Sequence, residues 1–146
     1  MNGLLFRARV AVLWVAVAVA MSGSMLLFLY APGAVEELLA GTMEGETLSD
    51  AWTFVFALIV IFPLAMAGVT LLVGDRVNRY LNLVAGLAAG PMGALPIMEI
   101  LEGTFDGHVV MALTAAALGL LIGGLSVVEL RQPASQRSRA REEASV

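Results

Sequence analysis

Four apolar stretches, each about the length of a bilayer crossing, alternate with short polar segments along this chain. Spanning the hydrocarbon core in helical form takes roughly 20 apolar residues. Val10–Tyr30 is the first such run, relieved only by Ser22, Gly23 and Ser24; Ala51–Val73, Tyr80–Leu101 and Val109–Leu130 follow. The pattern predicts an all-α, polytopic integral membrane protein, a four-transmembrane-helix bundle running up-down-up-down. A short head, Met1–Arg9, precedes the bundle. A polar tail, Arg131–Val146, follows it, with Pro133 near its start and too little apolar content to fold alone.

The joining segments carry their own signals. Pro32 and Gly33 end the first helix. Val35–Ala40, followed by Gly41, predicts a short helix lying at the interface with glycine as its stop. Ser49-Asp50 offers an N-cap for the second span, and Trp52 and Tyr80 sit near span starts, where aromatic belts lie. Pro63 near the middle of the second span removes a backbone donor and predicts a kink, which neighbouring helices can re-satisfy. Gly74–Arg79 reads as a tight turn, which would make the second and third helices antiparallel neighbours. Gly90-Pro91 and Pro96 predict an irregular second half for the third span. A signal peptide is the rival reading of the first run, since Arg7 and Arg9 form a basic start and Ala18-Val19-Ala20 resembles a cleavage site. The apolar run continues about ten residues further, beyond the usual signal length, so a retained span is expected.

Composition changes the picture in two ways. Of 146 residues, 60% are hydrophobic and 14% charged, against roughly 45–50% and about 25% in soluble domains. With a mean hydropathy of +0.90, lipid is the solvent for most side chains. The absence of cysteine excludes disulfides, thiol chemistry and thiolate metal sites. All eight basic residues are arginine, which together with abundant alanine fits a bacterial source. Arg7 and Arg9 precede the first span, Arg76 and Arg79 join the second to the third, and Arg131, Arg137, Arg139 and Arg141 follow the fourth. In a four-span chain these segments share one face, and Glu36, Glu37, Glu44, Glu46, Asp50, Glu99, Glu102 and Asp106 fall on the other. The positive-inside rule then predicts the bacterial inner membrane, multi-pass, with both termini cytoplasmic.

Candidate chemistry is sparse. The membrane core of this reading holds no obvious charge, and a charge there would mark function because burying it is costly. Small multidrug exporters need a carboxylate within the first helix, quinone-linked thiol oxidases need cysteine pairs, and bis-histidine haem proteins need several histidines. Intramembrane serine proteases of the Ser/His kind need a membrane histidine. Only His108 is present, at a loop end, so no catalytic residue, cofactor site or metal ligand set is read and no cofactor is expected. The outer rim gathers Glu99, Glu102, Asp106 and His108, a set able to bind a cation, or else a solvated acidic loop that enforces topology.

The third span carries Asn78, Asn82, Gly86 and Gly90 at four-residue spacing, one slowly drifting stripe of a helix. Together with Gly119 and Gly123 of the fourth span it forms a packing seam, small residues admitting close backbones and amides bonding across the contact. Gly86-x-x-x-Gly90 and Gly119-x-x-x-Gly123 can meet inside one chain or between two copies. Arg76 and Arg79 are expected among anionic lipid heads.

The loop Pro32–Gly41 (Pro-x-x-x-Glu-Glu-Leu-Leu-Ala-Gly), the central Pro63 and Met66, and Asn78–Asn82 (Asn-Arg-Tyr-Leu-Asn) follow one another in a recognisable order. In this the chain resembles, over Leu26 to Leu130, a family of small four-helix bacterial membrane proteins classed as a domain of unknown function. The resemblance implies four spans and no established activity, so no site residue is carried over. Proteins of the DoxX-like kind are similar in architecture only. The leading functional expectation is a non-enzymatic membrane component acting through helix packing with itself or a partner. A small transporter or a solute- or lipid-binding protein, using a kinked cavity between Pro63, Pro91 and Pro96, is the alternative. A membrane enzyme at the outer rim, through Glu99, Glu102 and His108, comes third. Expected partners are membrane lipids, a second copy or another membrane protein, and no nucleic acid.

Overall fold

The computed structural model describes residues 3–43, 46–93, 97–101 and 107–131. In chain order it holds α1 (Gly3–Phe28), α2 (Ala34–Leu39), strands β1 (Thr42–Met43) and β2 (Glu46–Thr47), α3 (Asp50–Leu72), α4 (Asp75–Gly93), α5 (Ile97–Leu101) and α6 (Gly107–Arg131). The chain is all-α in character, with α1, α3, α4 and α6 as its substantial helices. The strands are a two-residue antiparallel pair, Thr42 opposite Thr47 and Met43 opposite Glu46. By length and composition α1, α3 and α6 can cross a membrane. Among the described residues α4 does not join them on that measure, with three charged residues in its first five.

Helix boundaries differ from the sequence pattern where polar residues tolerate a helix. The first helix starts at Gly3, seven residues ahead of Val10, because Leu4, Leu5, Phe6 and Ala8 continue the apolar pattern and arginine is a good helix former. Phe6 is thereby part of the core. Similarly α4 begins at Asp75, an acidic residue suited to the positive end of the helix dipole. The turn before it shrinks to Val73 and Gly74, and Asn78 and Arg79 become helical. Of the expected third span, the described residues hold α4 to Gly93, with Pro91 inside the helix, and α5 over Ile97–Leu101. Pro96 lies outside the described residues, as does the tail beyond Arg131. The loop helix α2 forms as predicted, closed by Ala40 and by Gly41 at φ 73°, a left-handed conformation that glycine adopts without strain.

Packing reverses one expectation. The shortest turn joins α3 to α4, yet these two touch only near it. Instead α1 packs against both α3 and α6, and α6 packs along α4. A short connection holds two helix ends together and leaves the rest to side-chain complementarity. The indole of Trp14 meets the edge of Phe62 at 5.8 Å, drawing α3 to α1, while glycines let α4 lie against α6. Residue pairing gives the directions. Arg7 bonds to Asp75 and Trp14 to Asn82, so α1 and α4 run parallel. Ser24 donates to the carbonyl of His108, so α6 runs against α1. One end of the bundle thus carries Arg7, Arg76, Arg79 and Arg131; the acidic α2 segment lies at the other.

At the arginine end, Arg7 fastens the α3–α4 turn to α1. Its Nε donates to Asp75 Oδ1 at 2.9 Å and its Nη1 to the carbonyl of Leu71 at 3.4 Å, an acceptor in the last turn of α3. Both charged side chains keep contact with solvent, at 23% and 37% exposure, which screens the pair. Replacing Arg7 by alanine is therefore expected to cost only about 0–1 kcal/mol of stability. Thermal unfolding in mild detergent checks this, and the loss should shrink further at high salt.

Candidate functional site: a buried polar centre

Just inside the arginine end, three helices contribute polar side chains to one buried network. Asn82 is its hub. Its Oδ1 accepts from Trp14 Nε1 at 2.6 Å and from Thr70 Oγ1 at 3.1 Å. Its Nδ2 donates to the Asn78 carbonyl at 2.8 Å and to Asn78 Oδ1 at 2.7 Å. Both lone pairs and both N–H groups of this carboxamide are thus used, and α1, α3 and α4 are tied at one point. Asn78, Asn82 and Thr70 have no exposure at all. The partners around Asn82 offset the cost of placing its carboxamide in an apolar interior.

Beside this hub, Arg79 of α4 faces Glu129 of α6. Their Nη2 and Oε2 lie 3.6 Å apart, in ion-pair range but beyond a hydrogen bond, with side chains only 8% and 4% exposed. The guanidinium carbon stands 6.0 Å from the centre of the Phe6 ring, a cation–π contact from α1. Two buried donors, Asn78 Nδ2 and Arg79 Nε, have no hydrogen-bond partner. Here the structure corrects the expectation of an interior without charge and of Arg79 among lipid heads. Two ionisable groups are enclosed between helices.

Deeper along α4 the polar stripe becomes a glycine contact. A methyl group at Gly86 would stand 2.6 Å from the Gly119 carbonyl oxygen and 2.7 Å from Gly123 N, so backbone meets backbone. At Gly90 it would stand 2.8 Å from Leu120, and at Gly119 3.0 Å from Ala89. Gly123 is less constrained, with Leu87 as its nearest neighbour at 3.5 Å. Of the two arrangements open to these glycines, the structure places them against each other within one chain.

The outer-rim residues are placed less completely. His108 sits in the first turn of α6, edge-on to Phe28 at 5.9 Å, with its carbonyl bonded by Ser24. Glu99 belongs to α5, while Glu102 and Asp106 lie outside the described residues. Among the described residues no three His, Cys, Asp or Glu side chains gather as for a metal ion. Of the prolines, Pro63 is buried and Pro91 exposed.

Sequence reasoning missed Trp14, Thr70, Phe6 and Glu129. A usable signal existed for two of them. Trp14 places an indole N–H in mid-span, where it must find an acceptor. Asp75 and Glu129 break the arginine pattern of their face, as Glu142 and Glu143 do in the tail, and each of the first two proves to be an arginine's partner.

An all-α chain with three helices able to cross a membrane, tied together by interior polar bonds, has the make-up of a multi-pass membrane protein. The chain belongs to the Family of unknown function (DUF6326), whose model matches residues 6–132. That match takes in nearly all of α1, which the motif resemblance starting at Leu26 left out. No curated protein and no solved structure matches the chain.

Proposed function

We propose that this protein is a four-span, non-enzymatic component of the bacterial inner membrane, with both termini cytoplasmic, acting through contact with a second copy or a membrane partner. On this reading α4 is the remaining span, and the arginine end faces the cytoplasm by the positive-inside rule. The supporting observation is the Asn82 hub, in which interior polar groups are spent on joining helices. The seam glycines are likewise used inside the chain, so an outside partner meets a different surface. The open face of α3 suits that role: Phe54, Leu58, Ile61 and Leu64 are all exposed. In isolation this face is covered by lipid.

A solute- or lipid-binding role is the second reading, favoured by the two unpartnered buried donors, Asn78 Nδ2 and Arg79 Nε. Native mass spectrometry of the gently solubilised protein from its host separates the two. A defined oligomer or hetero-complex is the expected result. A monomer retaining one discrete small molecule would replace the first reading by the second.

A further inference from the structure

On the polar side of α4, several buried groups find partners on other helices. Asn82 Oδ1 accepts from Trp14 of α1 and Thr70 of α3, while its Nδ2 donates to Asn78 of α4 itself. Arg79 is balanced by Glu129 of α6 and faced by Phe6 of α1. Gly86 finds its packing partner in the backbone of α6. Alone in lipid, α4 would expose an uncompensated arginine, two carboxamides and a groove of glycines. A charge without a partner in the membrane is strongly disfavoured. The start of α4 fits this: Asp75, Arg76 and Arg79 put three charges in its first five residues.

We infer that α4 is a dependent span, crossing the membrane only as a pair with α6, and that Glu129 is the charge partner that admits Arg79. This rests on the reading of α4 as the remaining span. Two features assign the dependence to α6 in particular. The longest run of α4 packing is along α6, and the only acidic side chain in ion-pair range of Arg79 among the described residues is Glu129. Because α6 is strongly apolar, it tolerates Glu129 near its end at little cost. The pair therefore works in one direction, α6 carrying α4.

The absence of cysteine makes the test direct. Val77 lies in the first turn of α4 and Ile97 opens α5, beyond the described end of α4, and both are exposed. Val77→Cys and Ile97→Cys, made singly in the full chain in cells, are labelled with a membrane-impermeant maleimide from each side. In the otherwise natural protein they should label from opposite faces. Adding Glu129→Leu should lower labelling of Ile97→Cys from its natural face by at least about threefold, as expected when an unpaired charge is left in a span. Adding Arg79→Leu to that variant should restore it, since a buried ion pair can be exchanged for apolar packing. Unchanged labelling in the Glu129→Leu background would overturn the inference while leaving four spans intact. Failure of the double variant to recover would also overturn it. If both cysteines label from the same face without any further change, the four-span reading itself falls.

Discussion

Gly86→Leu should leave almost no folded protein in mild detergent, the largest effect expected of any single change in this chain. The argument is steric. Even the first carbon of a side chain at Gly86 would stand 2.6 Å from a carbonyl oxygen and 2.7 Å from an amide nitrogen of α6. Those atoms are backbone, so no rotamer change relieves the contact and the helices must part. Parting them also separates Arg79 from Glu129 about two turns along the same face, leaving a buried charge alone. Overpacking a tight core typically costs about 1–3 kcal/mol, and Gly86→Ala should already reach the upper part of that range. Neighbouring glycines supply the controls. Gly123→Ala enters ordinary contact with Leu87 and should be mild, and Gly124→Ala has nothing within 4 Å and should be silent. Fluorescence-detected size exclusion after a heating series reads all four variants. A Gly86→Ala protein as stable as Gly124→Ala would show that α4 and α6 do not approach as described.

Asn82→Ala should give the second largest loss, for a chemical reason rather than a steric one. The substitution removes an acceptor shared by two helices and a donor to Asn78 together. Thr70 can turn its hydroxyl back to a carbonyl of its own helix, a local rescue available to threonine. Trp14 has no such recourse, and an indole N–H orphaned in the interior costs about 1–3 kcal/mol. The cavity left by the carboxamide adds to this. Trp14→Phe is the informative comparison. It removes the donor and keeps the ring against Phe62, so its cost should be near the roughly 0.6 kcal/mol typical of an interhelical hydrogen bond in membranes. Unfolding of both variants in the same detergent gives the ratio. If Asn82→Ala is no more harmful than Trp14→Phe, the hub is not where the helices are tied.

Much of this architecture was legible in the order of residues. Hydrophobic runs longer than 18 residues have few homes outside a membrane, so α1, α3 and α6 could be placed without knowing any contact. The short helix before Gly41 was equally readable, because a glycine stop acts through local backbone geometry. The stripe of Asn78, Asn82, Gly86 and Gly90 was visible as periodicity, since helical spacing is a property of one helix. Family membership, too, followed from local motifs, and the family model extends it to residues 6–132.

What only the tertiary structure decided is which helix each face meets. Turn length suggested α3 as the neighbour of α4, but a turn constrains two ends and not two surfaces. The choice of α6 depends on glycine matched to glycine across a contact that no single segment encodes. The same holds for charge. Arginine position along the chain predicts which side of a membrane a segment occupies, because that preference acts on segments one at a time. Whether Arg79 then meets water or Glu129 depends on a residue 50 positions away. Its burial is set by the rotation of α4 about its own axis, and that rotation is the outcome of packing four helices at once.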